Sequence, residues 1–112
     1  MVSLSLAEVA QAWSQEKAWL SQVLGLSADA LHVHTSILVM LVAAVAWRRR
    51  MDHALPWLTV FVVELVNELL DLSAPANGEN TVHASLHDIY NTMFLPTIIL
   101  LCLRYTRAWR RL

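Results

Sequence analysis

A group of acidic and amide side chains interrupts one of the apolar stretches of this sequence. Glu64, Asn67, Glu68 and Asp71 lie within eight residues, and at about 100° per residue they share one face of a helix. Ionisable side chains are costly inside a membrane, so acids in an apolar segment indicate a functional site. Glu64 lies deepest in the apolar run, where a carboxylic acid can serve as a general acid or base.

Two further polar groups stand at the starts of the neighbouring apolar stretches. His87, Asp88 and Asn91 precede one stretch, and His32 opens another. We predict that these ends meet on one side of a membrane, around a single cavity that opens outwards. The predicted catalytic residues are Glu64, Glu68, His87 and Asp88, and the predicted ligand-binding residues are His32, Asn67, Asp71 and Asn91.

Several kinds of chemistry are compatible with these side chains. Histidine and carboxylate together bind zinc, manganese or iron, and His87 and Asn91 have the i, i+4 spacing of ligands on one helix. A haem between His32 and His87 is a further alternative, although neither histidine has an adjacent glycine to make room for it. The polar groups can also serve only to hydrogen-bond one helix to another. Cys102 is the single cysteine and stands far from the other candidates.

The composition predicts that these residues lie in a membrane protein. The chain has 112 residues, of which 57% are hydrophobic and 15% charged, against about 45–50% and about 25% in ordinary soluble domains. No Lys or Arg occurs between Lys17 and Arg48, or between Arg50 and Arg104, as lipid-embedded segments require. The net charge of −1 does not indicate a nucleic-acid partner.

Three transmembrane helices are predicted, at about residues 30–47, 55–72 and 89–103. Each is close in length to the roughly 20 residues that cross a bilayer. Pro96 lies inside the third helix and predicts a kink, because its ring clashes with the carbonyl group one turn earlier. The predicted fold is therefore an all-α bundle of three transmembrane helices, and it forms one membrane domain over residues 1–112.

The first segment, residues 1–26, is predicted to be an amphipathic helix in the headgroup region. Ser5 followed by Glu8 fits a capping box, and Gly25 fits the residue just past a helix end. Trp13 is typical of a helix that lies in the membrane interface. The alternative is an ordinary helix packed against the bundle.

The distribution of arginines predicts the orientation in the membrane. Clusters at 48–50 and 104–111 must share a side because two spans separate them, and the positive-inside rule makes that side cytoplasmic. The N-terminus and the connection between the second and third spans are therefore predicted to lie outside. A polar turn is predicted in that connection, formed by Pro75, Asn77 and Gly78 beside Glu79.

The stretch ELVNELLD at 64–71, followed by HDIYNT at 87–92, resembles the VanZ-like family of small bacterial membrane proteins. That family has a Glu-x-x-Gln or Glu-x-x-Asn helix, and then an Asp shortly before an Asn-Thr pair that opens the next span. The resemblance covers roughly residues 55–100. It implies a polar site in the outer leaflet of a bacterial inner membrane, acting on or binding a lipid-linked or amphipathic ligand.

Bacterial diacylglycerol kinase is similar in outline, with an interfacial helix, three spans and a Glu-x-x-Asn second span. The site of that enzyme faces the cytoplasm, whereas the corresponding end of this chain is predicted to lie outside. His87 stands where the kinase has a lysine, and no basic residue near the acidic stripe is expected to hold a triphosphate. The VanZ-like resemblance therefore ranks first.

Two main functions follow, beside a metal- or haem-binding role. The first is a small inner-membrane protein with a polar ligand site, and the sequence leaves open whether it catalyses a reaction. The second is a non-catalytic accessory subunit of a larger membrane complex. In that case the acidic stripe joins helices, and Trp109 with the arginine-rich end contacts a partner or anionic lipid. Contacts with membrane lipids, and a homo-oligomer that shields the polar interior, are also expected.

Overall fold

A computed structural model describes residues 3–74 and 81–111 of the chain. The described residues form four helices and no strand, which confirms the all-α prediction. In chain order the helices are α1 (Leu6–Leu24), α2 (Ala28–Ala46), α3 (Ala54–Ser73) and α4 (Val82–Arg110). The predicted polar turn of Pro75, Asn77 and Gly78, with Glu79, lies outside the described residues.

The ends of α1 and α2 are defined by local capping interactions. The Ser5 hydroxyl accepts a hydrogen bond from the Glu8 amide at 3.2 Å, and the Ser5 amide donates to the Glu8 carboxylate at 2.7 Å. These bonds confirm the predicted capping box and hold the pKa of Glu8 below its usual value. Gly25 ends α1 with a φ of 66°, the left-handed conformation that glycine adopts without strain. Ser27 then caps α2.

Helices α2, α3 and α4 form a bundle in which each helix packs against the other two. α1 packs chiefly against α3, with a smaller contact to α2. The buried apolar centre consists of Met40, Val60 and Leu100, one residue from each bundle helix. The arrangement therefore places the polar stripe of α3 between three neighbouring helices.

Helix α4 is longer than the predicted third span. It begins at Val82, where the Thr81 hydroxyl accepts a hydrogen bond from the backbone at Ala84, and it continues to Arg110. The predicted range 89–103 covered only the apolar middle of α4. The helical backbone hydrogen bonding continues beyond the apolar residues at both ends. Pro96 lies inside this helix and is fully buried. The kink that it predicts stays a prediction.

Two helices of the described part, α2 and α4, are long and apolar enough to cross a membrane. Only 17% of each apolar stretch is buried inside the protein, and the remaining residues are partly or fully exposed. α3 has comparable length but carries Glu64, Glu68 and Asp71 in its C-terminal half. Its large apolar side chains on the opposite face are exposed, as Val62, Val66 and Leu69 show.

A buried acid, Asp52, anchors the arginine-rich end of the bundle. Its carboxylate accepts a hydrogen bond from Arg107 at 3.2 Å and lies 3.4 Å from Arg50, while its carbonyl oxygen accepts from Arg104 at 2.9 Å. Asp52 therefore joins the connection between α2 and α3 to the end of α4. Sequence reasoning missed this residue because two of its partners, Arg104 and Arg107, stand more than fifty positions away along the chain.

The Asp52 cluster predicts a pH dependence of stability. Burial alone would raise the pKa of the Asp52 carboxyl, but the hydrogen bond from Arg107 and the charges of Arg107 and Arg50 outweigh it and lower that pKa. The resulting stabilisation is complete above the ordinary aspartate pKa and is lost as the pH falls through the lowered folded-state value. We expect the Tm difference between wild type and Asp52→Asn to shrink as the pH falls below the ordinary aspartate pKa and to vanish below the lowered folded-state pKa.

Thermal unfolding in detergent across the acidic range measures this difference. Exposed Glu16, substituted by glutamine, is the control for loss of one carboxylate, and it should show no such convergence. A gap between wild type and Asp52→Asn that stays constant to the lowest pH would contradict the assignment.

Candidate functional site

The polar stripe of α3 faces the interior of the bundle. Glu64, Asn67 and Glu68 are buried, and Asp71 is partly buried at the end of the same face. Their alignment follows from helical spacing, since the intervening residues point outwards. The structure thus brings together all four α3 residues that the sequence singled out.

His32 of α2 lies at the centre of this cluster. Its Nδ1 is 3.0 Å from the Thr92 hydroxyl and 3.6 Å from Oε2 of Glu64. Its Nε2 is 3.6 Å from the Asp88 carboxylate of α4. One imidazole therefore lies within ion-pair distance of acids from two other helices, Glu64 and Asp88.

The two buried glutamates lie side by side. The Glu68 carboxyl lies beside Ser85 and the Glu64 carboxyl, and it accepts a hydrogen bond from the Asn67 amide at 3.2 Å. Oε1 of Glu64 is fully buried and has no hydrogen-bond partner among the described residues. A buried polar atom without a partner costs about 1–3 kcal/mol, so such an atom indicates a place where something else binds.

Two residues of α1 bind the end of the stripe that lies nearest the C-terminus of α3. The Trp13 indole donates a hydrogen bond to Oδ1 of Asn67 at 2.8 Å. The Lys17 ammonium donates to the same oxygen at 3.0 Å and to both oxygens of Asp71 at 2.6 and 2.7 Å. A basic residue therefore lies beside the acidic stripe, and its ammonium group is bound to Asn67 and Asp71. Trp13 and Lys17 are one turn apart on α1, as Asn67 and Asp71 are on α3, so the two pairs fit together.

The structure places His87 and Asn91 outside the cluster, contrary to the prediction of one shared cavity. His87 is exposed, and its Nε2 lies 3.4 Å from Asp29 and 3.2 Å from the Asn91 amide. The reason is the rotation of α4. Its interior face carries Ser85 and Thr92, which are buried, and Asp88, which is partly exposed. Each residue is rotated by about 100° from the one before it, so positions 87 and 91 lie off that face.

Sequence reasoning missed four contributors to the site: Trp13, Lys17, Ser85 and Thr92. Ser85 and Thr92 stand three and four positions from Asp88, which is the spacing of one helix face. That spacing was the available signal for an interior stripe on α4. No comparable signal pointed to Lys17, since its contact with Asp71 spans 54 residues of sequence.

A cavity of about 170 Å³ lies beside the cluster, between α1, α2 and α3. Its walls are mostly apolar, and its polar lining residues include His32, Glu64 and Asn67. Thr35 and Val63 line the cavity and are themselves exposed, so it reaches the surface of the bundle between α2 and α3. For scale, an apolar cavity of about 150 Å³ holds a benzene ring.

The same donor atoms suit metal binding. One ligand atom each from His32, Glu68 and Asp88 lies within 4.8 Å of the other two. Histidine nitrogen and carboxylate oxygen are ligands for zinc, manganese and iron. A haem between His32 and His87 has no comparable support, because His87 pairs with Asp29 and Asn91 at the exposed face.

The chain matches no protein-family model, and its comparison with curated proteins and with solved structures gives no significant match. The resemblances to the VanZ-like family and to diacylglycerol kinase therefore stay predictions from sequence. The function is inferred from the residues of the site and their surroundings.

Proposed function

We propose that this chain is a multi-pass membrane protein in which α2, α3 and α4 each cross the bilayer. The apolar length of α2 and α4 supports this, as does the partial or full exposure of most of their residues. α3 completes the bundle because its acids face inward while Val62, Val66 and Leu69 face outward. In this arrangement the polar groups of α3 face the neighbouring helices and not lipid.

The arginines give the proposed orientation. Arg50, Arg104 and Arg107 gather around Asp52 at one end of the bundle. The positive-inside rule makes this end cytoplasmic, which places the His32–Glu64 cluster in the outer leaflet of a bacterial inner membrane. α1 then lies across the outer end, close to the headgroups, and its N-terminus is outside.

The polar site is proposed to bind an amphipathic ligand. The observation that carries this proposal is the unpartnered Oε1 of Glu64, a residue that lines an apolar cavity opening between α2 and α3. A ligand whose head donates a hydrogen bond would satisfy this oxygen, and its alkyl part would fill the apolar space. Alcohols and protonated amines with a long chain have this chemistry, whereas a carboxylate head would meet like charge.

The proposed role of the cluster in a reaction is proton transfer. Asp88, His32 and Glu64 connect the exposed outer end to the interior of the site at separations of 3.6 Å. Once a ligand hydroxyl binds to Glu64, this series can remove its proton or return one. The VanZ-like resemblance is consistent with such a site, and lipid-linked ligands belong to the same chemical class.

Photo-crosslinking with a long-chain alcohol that carries an alkyl diazirine tests the ligand class. Labelled residues are mapped by mass spectrometry after irradiation in detergent or vesicles. We expect labels on residues around the cavity, and a several-fold loss of them in Val63→Trp, because the indole fills the cavity. The matched control is Val66→Trp, on the same helix and similarly exposed but not part of the cavity wall.

The corresponding diazirine fatty acid serves as the head-group control and should label these positions less than the alcohol does. Uniform labelling of all lipid-facing surfaces, unchanged by Val63→Trp, would show that the cavity does not bind amphiphiles. Equal labelling by the acid and the alcohol would contradict the role given to Glu64.

A further inference from the structure

We infer that His32, Glu68 and Asp88 bind a divalent transition-metal cation, with Glu64 as an additional carboxylate beside it. The three residues come from α2, α3 and α4, one from each helix of the bundle. The site would therefore form only when the bundle is assembled. It lies next to the cavity of the proposed function and shares the Glu64 carboxylate with it, but its donor set of His32, Glu68 and Asp88 does not need an amphipathic ligand.

The donor atoms are close to metal-binding geometry. Two ligands that share a metal at about 2.0–2.1 Å are themselves separated by about 3.0–3.4 Å. His32 Nε2 and the Asp88 carboxylate are 3.6 Å apart, and all three donor atoms fall within 4.8 Å of one another. A small rotation of the Glu68 side chain would bring its carboxylate to the same centre.

The second nitrogen of His32 is oriented as in many metal sites. Nδ1 lies 3.0 Å from the Thr92 hydroxyl and 3.6 Å from Glu64. Metal-binding histidines usually donate their other ring N–H to such an oxygen, which holds the ring in place and selects the tautomer. Nε2, directed at Asp88, is then the nitrogen free to bind the metal.

Glu64 supplies a further indication that a ligand binds here. Its side chain is only 5% exposed, it contacts both His32 and Glu68, and its Oε1 has no partner among the described residues. The one lysine in this region, Lys17, is already bound to Asp71 and Asn67. A divalent cation between these carboxylates would offset their negative charge in the interior of the bundle.

Zinc binding to the purified full-length chain tests the inference. Protein in mild detergent is stripped with chelator, dialysed against Zn²⁺, and its metal content is measured by plasma mass spectrometry. We expect one Zn²⁺ per chain in the wild type. His32→Ala and Asp88→Asn should each weaken binding at least tenfold, about the loss that removal of even an orienting partner causes.

Two matched controls accompany these variants. His34→Ala removes a histidine from the same helix, and its exposed ring bonds to the Ala30 carbonyl. Asp29→Asn removes an exposed acid from the same end of the bundle. Both should keep wild-type stoichiometry and affinity. Circular dichroism and gel filtration identify any variant that has lost its fold, and Asp88→Asn is the milder change because this side chain is partly exposed.

Binding that is absent in the folded wild type, or that persists in folded His32→Ala and Asp88→Asn, would overturn the inference. Loss in His34→Ala to the same extent would do so as well, since it would indicate nonspecific histidine binding. The cross-linking experiment has a separate readout, so amphiphile labelling without zinc binding would reject only the metal site. Zinc binding without labelling would reject only the amphipathic ligand.

Discussion

Substitution of Lys17 by methionine is expected to release α1 from α3 and to lower the free energy of unfolding by about 2 kcal/mol. The ammonium group is the only cation that the described residues provide to Asp71, and it also donates to Asn67. Methionine keeps the apolar stem and helix propensity but donates no hydrogen bond. The partly buried Asp71 carboxylate would then lack a compensating charge, which is more costly than loss of an exposed ion pair.

Hydrogen exchange of the α1 backbone amides in detergent measures this release. A destabilisation of about 2 kcal/mol corresponds to a roughly thirtyfold larger open population. Glu16→Gln is the control, because it changes a charge at the adjacent, exposed position of the same helix. If exchange in α1 were as slow in Lys17→Met as in wild type, the bond to Asp71 would not hold this helix.

Substitution of Glu64 by leucine is expected to stabilise the protein, by about 1–3 kcal/mol, while it removes ligand binding. A buried oxygen without a hydrogen-bond partner carries a desolvation cost of about that size, and an apolar side chain of similar size removes it. His32 keeps its contacts with Thr92 and Asp88 in this variant. A protein that becomes more stable when a polar side chain is removed has kept that side chain for its function and not for its stability.

The comparison variant is Asn67→Leu, one turn further along the same buried face. Asn67 accepts hydrogen bonds from Trp13 and Lys17 and donates one to Glu68. Its removal leaves the Trp13 indole without this partner and removes one bond each from Lys17 and Glu68, so we expect the free energy of unfolding to fall by about 2–3 kcal/mol. Chemical unfolding in detergent gives both values. A loss of stability in Glu64→Leu equal to that in Asn67→Leu would assign Glu64 to helix association instead.

Local features of the fold followed from sequence, because they depend on near neighbours in the chain. The capping box of Ser5 and Glu8 joins positions three apart, and Gly25 ends its helix through its own backbone freedom. The apolar lengths of α2 and α4 are likewise properties of continuous segments. The shared face of Glu64, Asn67 and Glu68 follows from helical periodicity alone, and it was the most informative prediction about the site.

The composition of the site was decided by tertiary structure. His87 and Asp88 are adjacent in sequence, and both have ionisable side chains. Only Asp88 approaches His32, because packing sets the rotation of α4 about its axis. Likewise, nothing within α1 indicates that Lys17 reaches Asp71, since that contact depends on how α1 lies across α3. The sequence by itself determined which residues could do chemistry and which helix faces carry them. Only the packing of the helices decided which faces meet. Turning a helix about its axis by the angle of one residue leaves its own hydrogen bonds unchanged, but it exchanges every side chain that contacts a neighbouring helix.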